Sequence, residues 1–231
     1  AYGGGAAYSA TLNNCLLYGN SAFGNYGGAA WGCTLNNCTI AGNSAALLAG
    51  GSAFGSLSNC IAYFNSAPSS PNIHSSTATY TCTTPDPGGT GNITNQPLFV
   101  ATNDYHLNIN SPCINAGNNA GAIGSNDLDG NPRIIGGTVD LGAYETLVSA
   151  IRVNGINGAP ITNSSTTVNQ TMGTDFNWCN ILTSTITRTF TIANTGSAPL
   201  LVSSVTTNGS GAEDFSVLSY PSTVPAGGLS N

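Results

Sequence analysis

The chain has 231 residues, enough for one large or two modest domains with a core of their own. Charged residues make up only 5%, against about a quarter in ordinary soluble proteins; there is no lysine, and the cations are Arg133, Arg152 and Arg188. That excludes the clustered basic surface needed for nucleic acid or an anionic membrane face, and no apolar run approaches the roughly 18 residues of a membrane span.

Internal repeats come first. Gly4-Gly5 recurs as Gly27-Gly28 and Gly50-Gly51, each step 23 residues. TLNNC ending at Cys15 returns as TLNNC ending at Cys38 and SLSNC ending at Cys60, while Asn20-Ser21-Ala22 returns at Asn43 and Asn65, in steps of 23 and 22. Short alternating apolar runs at this period, with no amphipathic helix, predict the coils of a parallel β-helix. Leu12, Cys15 and Leu17 should point inward above Leu35, Cys38 and Ile40, then Leu57, Cys60 and Ala62. The ladder Cys15, Cys38 and Cys60 is read as small buried hydrophobes. Two asparagine rows, Asn14, Asn37 and Asn59 and then Asn20, Asn43 and Asn65, should occupy corners, where Asn tolerates a left-handed backbone and can bond the Asn of the next coil.

From Pro68 to Pro97 the repeat dissolves into Pro, Ser, Thr and Gly, with a short strand expected at Thr79-Tyr80-Thr81. Leu98 to Glu145 reads as irregular final coils and a C-terminal cap. Cys82 and Cys113 flank the Pro-rich excursion and would either bridge in an oxidising compartment or stay as buried thiols, while Cys33 and Cys179 have no evident partner.

The order QPLFV, DYHL, SPCINAG, DLDGNPRI, VDLGAYE resembles the C-terminal signature of bacterial parallel β-helix proteins of the choice-of-anchor Q type. Over residues 1–146 the resemblance implies a right-handed parallel β-helix in an exported bacterial protein whose sorting signal lies further downstream. From about Ser149 the pattern changes to alternating strands, TRTFTIANTG, PLLVSSV and DFSVL, separated by turn signals, which predicts a β-sandwich. FTIANTGSAPL, EDFSV and PAGG resemble the immunoglobulin-like choice-of-anchor D modules. In that family further strands follow the glycine pair, so the expectation is an all-β chain: a β-helix over 1–146 and an incomplete immunoglobulin-like β-sandwich over 147–231.

Residues 1–85 contain no charged side chain, so the acid, base or charge clamp of a polysaccharide-processing β-helix is missing there, and no catalytic residue is assigned. Asp127, Asp129, Asp140 and Glu145 cluster near Arg133. Asp127 and Asp129 are read as turn caps, with Arg133 pairing Asp140 or Glu145; the alternative is that DLDGN holds calcium, the one cofactor considered. His106 is read as a wall or surface residue, and His74 sits in no catalytic spacing. Sequons occur at Asn37, Asn92, Asn163, Asn169 and Asn208; Asn37 would be a poor acceptor, leaving the other four as glycosylation candidates.

The resulting expectation is a secreted or cell-surface structural protein, a spacer, adhesin segment or fibre subunit, and not an enzyme. Its partners would be other copies of itself or downstream domains of the same polypeptide. The chain opens inside a repeat and the sandwich stops short, as in a fragment or in a subunit that assembles head to tail, with strand complementation as one route. The alternative is glycan recognition through Tyr8, Tyr18, Phe23, Tyr26, Trp31, Phe54, Tyr63 and Phe64.

Overall fold

The computed structural model describes residues 3–23, 26–162, 167–176, 184–209 and 211–231. The described residues are all-β apart from two single 3-10 turns, and they fall into two compact units, 1–146 and 147–231.

The first unit is a parallel β-solenoid of three full coils and a fourth partial one. One sheet stacks Thr11–Asn13, Thr34–Asn36, Ser56–Ser58 and Thr77–Thr79 in parallel register, which puts Leu12, Leu35, Leu57 and Ala78 in one inward column. A second stacks Leu16–Tyr18, Thr39–Ala41, Ile61–Tyr63 and Cys82–Thr83, aligning Leu17, Ile40, Ala62 and Thr83. A third stacks Ala7–Tyr8, Ala30–Trp31, Ser52–Ala53 and Ile73–His74. The inward Leu, Ile and Cys side chains form a single core cluster in which Cys33, Leu35, Cys38, Ile40 and Cys60 are fully buried. At roughly 1.5–3 kcal/mol per buried aliphatic side chain, this column is the main stabilising term of the coils.

The recurring glycines have a packing reason. A Cβ on Gly5 would sit 2.1 Å from the Gly28 carbonyl oxygen, and one on Gly28 would sit 2.2 Å from that of Gly50, so the backbones of successive coils approach too closely for any side chain.

The fourth coil lies inside the stretch where the repeat is lost to the eye. His74 pairs with Ala53, Ala78 with Leu57 and Cys82 with Ile61, each 21 residues apart, a shortened period with threonines at inward positions. The strand is Thr77–Thr79, not 79–81, because Tyr80 turns the corner with φ of 47°.

Residues 98–146 are neither final coils nor an end cap. They form a hairpin, Phe99–Ala101 with Asp104–Leu107, followed by a strap that runs back along the coils from the third to the first. Asn118 exchanges two hydrogen bonds with Asn59 (2.8 and 3.0 Å), Ile123 N–H donates to Asn37 Oδ1 (3.1 Å), and Asn14 donates to the Ile123 carbonyl (2.8 Å). The strap then covers the outer face of the second sheet, where Gly142 N–H reaches the Asn59 carbonyl and Ala143 N–H the Thr39 hydroxyl. The reason is chemical: the outward positions Leu16, Thr39 and Ile61 are apolar or β-branched, and under the strap Thr39 and Ile61 are buried.

In the second unit, Ile151–Asn154, Thr191–Asn194 and Leu229–Ser230 form a three-stranded antiparallel sheet and Leu200–Leu201 pairs with Thr223–Val224. The DFSVL segment, expected as a strand, pairs in no ladder: Asp214 ends a 3-10 turn, and Phe215, Val217 and Leu218 are exposed.

Candidate functional site

The two asparagine rows do different work. Asn14, Asn37 and Asn59 take the left-handed backbone, with φ of 51°, 50° and 52°, and turn their amides toward the strap instead of each other. Asn20, Asn43 and Asn65 lie one residue past a corner and form the ladder: Asn20 Nδ2 donates to Asn43 Oδ1 (2.9 Å), Asn43 Nδ2 to Asn65 Oδ1 (2.9 Å), and Asn65 Nδ2 to Asn72 Oδ1 (3.3 Å). The same carbonyl oxygens also accept the backbone N–H of the preceding rung, at 2.9, 3.0 and 3.1 Å. Asn72, in the fourth coil, closes the ladder by donating to the Thr84 carbonyl (2.9 Å), and the sequence pattern did not single it out.

The charged residues gather in the strap. Arg133 is 2% exposed, and its Nη2 donates to Glu145 Oε1 (2.6 Å) while Nη1 reaches Asn14 Oδ1 in the first coil (3.2 Å). Asp140 accepts from Asn115 N–H (2.7 Å) and Thr146 N–H (2.8 Å). Burial, then repulsion from Asp140, pushes the Glu145 carboxyl up to about 7 despite Arg133. Burial likewise raises Asp140. Arg133 Nε and Glu145 Oε2 are buried without a hydrogen-bond partner, so the ion pair is only partly compensated.

Asp127 and Asp129, paired in the calcium reading, are engaged separately. Asp127 caps its turn: Oδ1 accepts from Asp129 N–H (3.0 Å) and Asn131 N–H (2.8 Å), and Oδ2 from Glu145 N–H (2.8 Å) and Asn131 Nδ2 (3.2 Å). Asp129 is no cap; its Oδ2 lies 2.7 Å from His106 Nε2. A carboxylate that already accepts four N–H bonds offers little to a cation, and among the described residues no group of three His, Cys, Asp or Glu is arranged to hold a metal ion.

His106 is more than the wall residue the alternation suggested. Asp104 and His106 share one face of the strand Asp104–Leu107, so Asp104 Oδ1 meets Nδ1 while Asp129 meets Nε2, and the Tyr144 ring lies over the imidazole with centroids 4.1 Å apart. Burial works against the charged ring, but the bonds to the two carboxylates prevail and raise His106 above its ordinary value, while the bond from His106 lowers Asp104. With a carboxylate at each ring nitrogen, His106 ties the hairpin to the strap.

No family model, curated protein or solved structure matches this chain.

The remaining sequence-derived positions fall as follows. Cys82 and Cys113 are brought together, fully buried and unbonded, and Cys15, Cys33, Cys38 and Cys60 are free thiols. The Asn92 amide is engaged: Oδ1 accepts from Thr81 N–H and Nδ2 donates to the Ala78 and Gly88 carbonyls. Asn169 and Asn208 are exposed, whereas Asn163 and Cys179 lie outside the described residues. Of the aromatic side chains, Tyr8 and Trp31 stack face to face at 4.7 Å and 3°, and Phe54 leans on Trp31 and Tyr26. Tyr18, Phe64 and Tyr63 belong to a second group with Phe99 and Tyr105, and Phe23 is almost fully exposed.

Proposed function

We propose that this chain is a load-bearing segment of a bacterial secreted or cell-surface protein, a spacer or adhesin rod that joins other copies of itself or further domains of its own polypeptide. The observation that carries the reading is the amide ladder Asn20–Asn43–Asn65–Asn72, which ties every coil to the next along the axis with both side-chain and backbone bonds. A strap clamped to the first three coils adds lateral bracing. The five ordered motifs of residues 96–145 support membership of the choice-of-anchor Q group, and the alternating strands after Ser149 an immunoglobulin-like module of the choice-of-anchor D kind.

A glycan-binding role is the second reading, favoured by the outward column Tyr8, Trp31 and Phe54, of which Tyr8 is 59% and Phe54 45% exposed. It ranks lower because Tyr8 and Trp31 each cover one face of the other and Phe54 leans on Trp31 and Tyr26, so these rings also pack against one another.

Single-molecule force spectroscopy tests the structural reading. Stepwise unravelling of residues 1–146 at forces that fall in Asn43→Ala is the expected result, and extension at negligible force would sink it. A glycan array signal abolished by Trp31→Ala would instead establish the second reading.

A further inference from the structure

We propose that Cys82 and Cys113 form an intramolecular disulfide when the chain folds in an oxidising medium, and that this bridge joins the strap to the fourth coil. The inference is independent of the load-bearing role.

The two residues reach each other from different elements. Cys82 lies on the last coil strand, under Ile61, with its N–H bonded to the Cys60 carbonyl at 2.9 Å. Cys113 opens the strap, held by the Ser111 hydroxyl on its N–H (3.1 Å) and by Leu141 N–H on its carbonyl (3.0 Å). Both are 0% exposed and share one apolar cluster with Ile61, Leu107 and Leu141, where the Cys82 thiol donates to the Asn95 carbonyl at 3.2 Å and interacts electrostatically with the Cys113 thiol. The two thiols thus share one dry pocket, with both backbones already fixed.

The column Cys15, Cys38 and Cys60 differs. Those residues sit on adjacent rungs whose separation is set at about 4.8 Å by strand pairing, at the short edge of disulfide geometry. Their thiols donate to the carbonyl two residues back, at 3.1, 3.2 and 3.2 Å, much as Cys82 donates to Asn95, so it is the separation set by strand pairing that distinguishes the column. The Cys82–Cys113 spacing is not tied to strand pairing, because the strap is a separate layer.

The chemistry is thiol–disulfide exchange with a small-molecule or protein disulfide donor. One cysteine thiolate attacks a donor sulfur, the donor S–S bond breaks, and a mixed disulfide forms as one donor thiolate leaves. The second cysteine then displaces the other donor thiolate. Two electrons pass to the donor, and the two cysteine protons end on the two donor thiols. Contact with Cys113 and burial push the Cys82 thiol up, so the folded reduced pair presents little thiolate, and exchange belongs to the stage before the strap closes.

The sequence offers a clean assay. Cys113 is the only cysteine between Asp104 and Asp127, and Cys82 lies in the segment 1–85, which contains no Asp or Glu. The reduced chain is refolded in oxidised and reduced glutathione, alkylated in denaturant and cleaved before aspartates. The expected product is fragment 1–85 joined to fragment 104–126, released by reductant, absent from Cys82→Ala and retained in Cys38→Ala. Fragment 104–126 recovered alkylated and unlinked from the wild-type chain would overturn the proposal, as would a link that persists in Cys82→Ala. The wild-type result decides between bridge and thiols even if a variant fails to fold.

Discussion

In the coils, residues 3–85, no side chain carries a formal charge, and the buried polar side chains are amides and hydroxyls such as Asn43, Asn59, Asn65 and Thr81. In the strap the buried polar set is Asp127, Arg133, Asp140 and Glu145. A neutral amide carries donor and acceptor together, so one residue type repeated at one register bonds to its own copy in the next coil. A carboxylate has no donor, and it cannot repeat without like-charge repulsion. Periodic stacking therefore favours Asn, and an aperiodic layer can use ions. The two regions should fail differently when their polar groups are removed.

The largest effect is expected at Arg133. Arg133→Ala leaves Glu145 and Asp140 buried beside each other without a counter-charge and removes the tie to Asn14, at an expected cost of about 3–5 kcal/mol. Replacing both partners, Arg133→Met with Glu145→Leu, should recover most of that loss, since a buried pair is often no better than apolar packing. Urea unfolding midpoints of the single and double variants test the contrast, and a double variant as unstable as the single would refute it.

In the coils, Asn43→Ala removes an acceptor that two N–H groups of the first coil share and leaves others unpaired, for an expected loss of about 2–3 kcal/mol. Asn20→Ala, at the more exposed rung, should cost about 1 kcal/mol. Equal losses would mean that the ladder does not act as a continuous unit.

The strap should also respond to pH where the neutral ladder does not. Glu145 is raised in the folded state from its ordinary 4.5 to about 7, so the folded chain holds that proton more tightly than the unfolded chain. Its contribution is fully present below about pH 4.5 and declines as pH rises toward 7, with a slope of at most about 1.4 kcal/mol per unit. Glu145→Gln should flatten that part of the profile, and an unchanged slope would assign the effect elsewhere.

Three coils were legible because three markers, Gly-Gly, the TLNNC segment and Asn-Ser-Ala, repeat at one period and share one physical cause, stacking at fixed register. The fourth coil was not, because its period shortens to 21 and Thr81 and Thr83 take inward positions that Cys60 and Ala62 hold one coil earlier. The strap was illegible as a strap because its contacts to the coils reach across as many as 119 residues and follow no spacing. A hint was present in the outward column Leu16, Thr39 and Ile61, too apolar to face water. The left-handed Asn row and the ladder Asn row looked alike in sequence, and only the corner geometry separates them.

The smallest effect concerns His106. Its partners Asp104 and Asp129 are each close to half exposed, so the clamp should contribute less than about 1 kcal/mol. A histidine raised by carboxylates contributes fully below its unfolded value near 6.5 and loses that contribution as pH rises through the higher folded value. Above it the neutral ring has one N–H for two carboxylates, so either Asp104 or Asp129 loses its donor. With His74 the only other histidine, proton NMR can follow His106 directly. Its midpoint should lie above the ordinary histidine value and move down in Asp129→Asn, with little change in global stability. A midpoint at or below the ordinary value would show that the hairpin and strap are held by packing against Tyr144 and not by the ion pairs.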